Sequence, residues 1–215
     1  MSLLSSLVSL GAAGMMLLTI PLDTAAPQND ADGTLFLVNR QWTVTESYEP
    51  EDLRQAEVPG SVRRMRDEAA AALEEMFAAC KEETGVTLIS VSGYRSYASQ
   101  SNIYSRKLRA VRKDEAKAQE YVAPPGASEH QLGLAMDILD VDNPNLDVTQ
   151  EWTEAQRWLM KHCTEYGFIL RYPNGTTDIT GIIYEPWHYR YVGKANAAAI
   201  AASGLVFEEY LQKED

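Results

Sequence analysis

The 215-residue chain is 45% hydrophobic and 23% charged, which suits one globular domain with a substantial core. Its net charge of -12 excludes nucleic acid or an anionic bilayer surface as a general partner, because those surfaces are bound through clustered Lys and Arg. Two cysteines, Cys80 and Cys163, without a C-x-x-C pair exclude a disulfide-stapled scaffold; each falls on the apolar stripe of a predicted helix as a small buried thiol, and a bridge between them is the alternative for an exported protein.

Residues 1–26 lack Lys and Arg and contain an apolar run from Leu7 to Leu22. That run reads as an export signal, although the basic residues expected before it are missing, or as a membrane anchor, although sixteen residues are short for a full span. Either reading places the rest of the chain outside the cytoplasm. Residues 27–34 are a polar linker by composition, and 35–215 form one domain.

Leu35 to Leu53 is extended or looped, with a turn at Pro50 and Glu51. Ser61, after Pro59 and Gly60, is placed to cap a long helix whose stripe is Met65, Ala69, Leu73, Met76 and Cys80, with Gly85 as its stop. Val86 to Tyr94 is rich in β-branched residues and reads as a buried strand, which puts Arg95 just past a strand end. Ser96 caps a second helix from Tyr97 to Arg112 with Gln100 and Tyr104 on one face, and the cluster Arg106, Lys107, Arg109, Arg112 and Lys113 is its solvated side. A further helix covers Glu115 to Tyr121, broken by APPGAS. LGLAMDIL is a strand with Ala135, Asp137 and Leu139 on one face, and Val141 to Val148 is a loop. Glu151 to Tyr166 is an amphipathic helix whose stripe includes Ala155, Trp158, Leu159, His162 and Cys163, so His162 reads as a packing residue. Phe168 to Tyr172 and WHYRYV are strands, Asn174 to Thr176 is a turn, and Ala195 to Ser203 is a helix ended by Gly204 before a closing strand or turn. Mixed helices with strands in non-alternating order predict an α+β domain, helices packed on a mostly antiparallel sheet.

The chemistry concentrates in SEHQLGLAMD, where His130 and Asp137 stand seven positions apart, and in EPWHYRY, where Glu185 precedes His188 by three. The chain has three histidines, and with His162 packed, His130, Asp137 and His188 form a candidate two-imidazole, one-carboxylate site for a divalent cation with a position left for water, as in catalytic zinc sites. The strand period puts His188 and Arg190 on one face, opposite Trp187, Tyr189 and Tyr191. A second carboxylate, Glu185, is suited to take a proton from the attacking water and return it to a leaving amine.

SxHxxGxAxD followed by EPWHxR closely resembles the signature of the VanY-like D-alanyl-D-alanine carboxypeptidases, in the LAS group of zinc peptidases. SGYRSYASQSNIY, from Ser92 to Tyr104, and the segment from Leu35 to Leu53 resemble further stretches of that family, so the likeness runs from about Leu35 to Leu211. The resemblance implies the LAS and hedgehog-like fold, bound zinc, a peptidoglycan stem peptide ending in D-Ala-D-Ala as substrate, and substrate contacts from Arg95, Gln100 and Ser128. No obligate protein partner is inferred, and the N-terminal run remains a candidate membrane anchor. An arginine fork suits the terminal carboxylate that a carboxypeptidase must hold. Trp187 is expected to pack beneath the site, and Arg190 either orients a ligand or pairs with a neighbouring acid.

Other readings of the same residues are a non-haem iron oxygenase, disfavoured by the wide His130 to Asp137 spacing, and a hedgehog-like module that keeps zinc without turnover, disfavoured by Glu185 and Arg95. Within the peptidases, L,D cleavage, hydrolysis of the free dipeptide and cutting of an internal crosslink stay open alongside D,D cleavage.

Overall fold

The computed structural model describes residues 31–213; the apolar run from Leu7 to Leu22 lies outside the described residues. Four antiparallel strands form the central sheet in the order β3 (Leu88–Ser92), β4 (Ala135–Asp140), β6 (His188–Tyr191), β5 (Phe168–Leu170), and a small hairpin pairs β1 (Leu53–Gln55) with β2 (Arg64–Arg66). Around them run α1 (Asp67–Thr84), α2 (Tyr97–Ala110), α3 (Glu115–Tyr121), α4 (Glu154–His162), α5 (Thr177–Thr180), α6 (Lys194–Ser203) and α7 (Phe207–Lys213). This is the α+β arrangement the sequence predicts.

Period-two alternation divides the sheet chemically. Met136, Ile138, Tyr189, Tyr191 and Phe168 enter a core shared with Ala69, Leu73, Met76 and Cys80 of α1 and with Ala155, Trp158 and Leu159 of α4. Asp137, His188 and Arg190 therefore share the opposite face. A smaller apolar cluster joins Ile169 and Val192 to Ala197 and Ile200 of α6 and to Phe207, Tyr210 and Leu211 of α7. Gln156 of α4 ties two strands together from within the core: its Nε2 donates to the Ile138 carbonyl at 2.6 Å and its Oε1 accepts from the Tyr189 hydroxyl at 2.8 Å.

Besides small shifts at strand and helix ends and the unpredicted short helix α5, three elements differ from the sequence reading. The first helix begins at Asp67, with Arg66 rather than Ser61 at its cap position, because Arg64 to Arg66 pair with β1 and the Arg64 carbonyl accepts from Tyr94 N. The helix predicted over Glu151 to Tyr166 is α-helical only from Glu154 to His162, with 3-10 turns before and after it. The closing segment is the helix α7 rather than a strand or turn, since Phe207, Tyr210 and Leu211 recur at helical spacing and all three are buried. Cys80 and Cys163 are free and buried, so no bridge joins them.

Replacing Gln156 by Leu should strand the Tyr189 hydroxyl and the Ile138 carbonyl without partners, lowering stability by about 2–4 kcal/mol in chemical denaturation. An unchanged denaturation midpoint would mean that the link between α4 and the two strands carries no weight.

Candidate metal and catalytic site

The β4 and β6 strands pair in a register that sets Asp137 directly opposite His188. His130 reaches the same point from the 3-10 turn Glu129–Leu132, which Gly133 ends in the left-handed region (φ 67°) just before β4 begins. Gly93 shapes the other wall. A Cβ there would lie 2.4 Å from the Arg64 carbonyl, so only glycine lets β2 approach this closely. The freed Gly93 carbonyl faces His130 Nδ1 at 2.8 Å.

These contacts fix the His130 tautomer and orient the His188 ring. Gly93 O can only accept, so the His130 proton sits on Nδ1 and Nε2 keeps its lone pair. At His188 the Nε2 atom lies 3.1 Å from Glu129 Oε2, which leaves Nδ1 turned toward Asp137 Oδ1 at 3.1 Å. His130 Nε2 stands 3.4 Å from that same oxygen, and the two rings meet edge to face with centroids 4.9 Å apart. The three donor atoms lie within 4.8 Å of one another. Buried His130 Nε2 and Asp137 Oδ1 complete no hydrogen bond, as expected of groups shaped to hold an ion rather than each other. Two imidazole nitrogens and one carboxylate oxygen form a donor set that zinc accepts.

Glu185 arrives through a turn. His188 N donates to Glu185 O at 3.1 Å across Glu185-Pro186-Trp187-His188, with proline at the position whose φ it presets. The same turn brings Glu185 Oε2 to 3.8 Å from His188 Nδ1. Burial pushes the Glu185 carboxyl up to about 8, partly offset by His188 and Arg95. Burial opposes charge on His188 too, but the carboxylates of Asp137 and Glu129 outweigh it and raise its value to about 9 without a metal. His130 is pushed down to about 4 by burial and by the nearby Arg95. Burial would raise Asp137, yet the two imidazoles hold it well below the usual carboxylate range.

Arg95 follows β3, as the sequence reading has it, and its backbone N donates to His130 O at 3.1 Å. Its Nε is buried without a hydrogen-bond partner, and burial lowers its pKa despite the pull of Asp137 and Glu185. Gln100 is buried; its Nε2 donates to the Ala123 carbonyl at 2.6 Å while its Oε1 has no partner. Arg95, Gln100, Ser128, the trio and Glu185 line one cavity of about 510 Å³, whose walls continue through Ile103, Val122, Leu146, Val148, Ile182 and Ile183. The structure thus brings every candidate site residue together. His162 stays outside, stacked on Trp158 and bonded to Glu165 at 2.8 Å. Trp187 is largely buried and borders the cavity.

Two participants escaped the sequence reading. Tyr172 packs its ring 4.8 Å from that of His188, and Glu129 bonds the same imidazole from behind. The only signal for Glu129 is its place in the motif, between Ser128 and His130. Arg190, left between two roles by the sequence, pairs with this acid at 2.9 Å.

Residues 62–194 match the family model described as VanY: D-alanyl-D-alanine carboxypeptidase. Among curated proteins, YodJ of Bacillus subtilis (strain 168) is 45% identical over 189 residues, covering 85% of this chain and 68% of its own length. The D-alanyl-D-alanine carboxypeptidase of Enterococcus faecalis (strain ATCC 700802 / V583) is 39% identical over 202 residues, covering 90% of this chain and 71% of its own. Among solved structures, the LdcB LD-carboxypeptidase aligns with a TM-score of 0.80 at 45% identity, covering 85% of this chain and 87% of that one. VanYB in complex with D-alanine-D-alanine gives 0.73 at 38% identity, covering 85% and 99%. A VanY variant from a VanB-type resistance cassette, solved with Zn(II), gives 0.71 at 38% identity, covering 83% and 98%. The fold is that of the LAS-type zinc peptidases, and the cofactor that suits the orphaned donors here is zinc.

Purified protein should carry one zinc per chain, lost on chelation and not regained by His188→Ala. Because His188 titrates at about 9 without metal, it carries a proton at pH 7 that zinc must displace from Nδ1. Calorimetry in buffers of different ionisation enthalpy should therefore register release of at least one proton per zinc at that pH. Zinc uptake with no proton release would contradict a His188 held protonated by Asp137 and Glu129 in the metal-free site.

Proposed function

This chain belongs to the VanY family of D-alanyl-D-alanine carboxypeptidases, and we propose that it releases the terminal D-alanine from peptidoglycan stem peptides ending in D-Ala-D-Ala. The observation that carries the reading is a partly exposed guanidinium, Arg95, whose Nε is buried without a hydrogen bond, beside a trio of metal donors and the largely buried carboxylate of Glu185. A cationic fork in a desolvated pocket is a receptor for a carboxylate, here the C-terminus of the substrate. With Gln100 Oε1 and Ser128 in the same cavity, the terminal residue has further polar partners.

In this reading His130, Asp137 and His188 hold zinc, which when bound supplies Lewis acidity toward the scissile carbonyl and lowers the pKa of water. Glu185 is the general base: its carboxylate takes a proton from the attacking water and passes it to the departing D-alanine amine. Arg95 fixes the substrate's terminal carboxylate, or the oxyanion as it develops. A cavity of about 510 Å³ is in the range that takes up a drug-sized ligand, which favours a stem peptide over a free dipeptide.

One observation favours a second reading. The LdcB structure, at 45% identity, is that of an LD-carboxypeptidase, so release of D-alanine from the tetrapeptide stem by the same groups is the alternative. The wall on which either stem would act lies outside the membrane, which fits export of this domain by the run from Leu7 to Leu22. Among the described residues no helix is long and apolar enough to cross a membrane.

Incubation with stem pentapeptide, tetrapeptide and free D-Ala-D-Ala, followed by mass, separates the readings. Loss of D-alanine from the pentapeptide supports D,D cleavage, and loss from the tetrapeptide alone supports L,D cleavage. Turnover of the dipeptide alone, or of none of them with zinc present, would overturn the proposal.

Glu185→Gln should keep fold and zinc and lose about a hundredfold to ten-thousandfold in kcat. Arg95→Ala should raise KM and lower kcat, and Arg95→Lys should not restore them, since the ammonium lacks the planar fork. The base works ionised, so kcat/KM should rise with pH through the Glu185 value. That value lies at about 8 without metal, and a neighbouring dication moves the limb lower. A flat profile from pH 5 to about 8 would remove Glu185 from the role.

A further inference from the structure

Behind His188 lies a lattice of four buried charges. Glu129 accepts from His188 Nε2 through Oε2 at 3.1 Å, while its Oε1 accepts from Arg171 Nε at 2.7 Å and from Arg190 Nη1 at 2.9 Å. Arg171 in turn forks onto Glu208 of α7, with contacts of 2.9 and 2.5 Å. Arg190 Nη2 donates to the carbonyls of Thr34 at 2.9 Å and Phe36 at 3.0 Å. Side chains of Glu129 and Arg190 are 0% exposed, and those of Arg171 and Glu208 are 1% and 4% exposed, so none of these contacts is shared with bulk water.

Two carboxylates and two guanidiniums balance, yet a buried ion lattice is a poor source of stability. Well-packed apolar residues of similar volume often do as well or better, whereas removing one member strands the others. What the lattice does supply is direction. Each of Glu129's two oxygens is committed, and Oε2 is left facing the one imidazole nitrogen that must stay protonated if the other is to coordinate.

We propose that Glu129 is a positioning residue for the metal centre, fixing the His188 ring with Nδ1 toward the ion, and that Glu208 holds Glu129 in place through Arg171, so that zinc retention depends on docking of α7. This rests on His188 being a zinc ligand. The C-terminal helix thereby reaches the metal through three consecutive charge-assisted contacts, Glu208 to Arg171, Arg171 to Glu129 and Glu129 to His188. The segment before β1 joins the same lattice through Thr34, Phe36 and Arg190.

The test measures zinc affinity by competition with a chromophoric chelator, alongside thermal unfolding of the metal-free proteins. Glu129→Gln should weaken zinc binding about 10–100-fold, the usual effect of losing such an outer contact, with KM at saturating zinc unchanged. Since Glu129→Gln leaves a net buried positive charge that can unfold the protein, Glu129→Asp is the second variant. It keeps the charge and falls one methylene short of its partners, and the same weakening is expected. The charge-neutral pair Arg171→Met with Glu208→Met should leave the melting temperature near wild type and still speed zinc loss. In wild-type zinc protein, long-range proton–nitrogen NMR should show the His188 proton on Nε2, a readout of ring orientation that needs no variant. Wild-type zinc affinity in a folded Glu129 variant, or a His188 proton on Nδ1, would overturn the positioning role. Wild-type zinc loss in the double variant would cut α7 out of it. If His188→Ala itself retains zinc, the ligand assignment beneath the proposal fails instead.

Discussion

The pairing of β4 with β6 in the register that sets Asp137 across from His188 is the constraint on which the rest depends. Strand side chains alternate, so a slip of one residue on either strand would carry a donor to the core face and bring an apolar side chain to the site. The core forbids that slip. Met136, Ile138, Tyr189 and Tyr191 are committed to packing against α1 and α4, and Gln156 bonds both strands at once. Apolar burial here does more than stabilise the domain: it fixes which polar atoms face one another on the other side of the sheet.

On that other face, burial becomes an electrostatic instrument. Arg95, His130, Asp137, Glu185 and His188 line one cavity, and each is moved from its ordinary protonation behaviour by burial and by its charged neighbours. Opposite pressures separate the carboxylates. Asp137 is held ionised by two imidazoles, whereas Glu185, with less compensation, is pushed upward. Two carboxyl groups, Asp137 in β4 and Glu185 three residues before the start of β6, are thus suited to different tasks, one to hold a cation and one to carry a proton.

Much of this was legible in the chain. The donor types and spacing in SEHQLGLAMD and EPWHYRY, joined to a period of two, are enough to put Asp137 and His188 on one face, and the apolar stripe through Trp158 and Cys163 is enough to set His162 aside. Long-range pairing was not legible. Ser61 has the chemistry of a helix cap, but Arg64 to Arg66 find strand partners in β1 and a donor in Tyr94, and the helix starts later. The seven-residue α7 carries its helical pattern in only Phe207, Tyr210 and Leu211. Glu129 carried no assigned role in the sequence, because its partners Arg171 and Arg190 lie 42 and 61 residues away. Selectivity stays hidden for a related reason: the cavity walls come from α2, α3, the loop through Leu146 and Val148, and Ile182 with Ile183, and no single stretch reads as a pocket.

The measurement that bears most directly on this account is anomalous diffraction at the zinc absorption edge from crystals of the zinc-loaded protein. The expected result is one strong peak per chain at bonding distance from His130 Nε2, an Asp137 oxygen and His188 Nδ1, with Glu185 beside it but not bound to it. A peak coordinated through His188 Nε2, a peak ligated by Glu185, or one located away from the strand pair would contradict it.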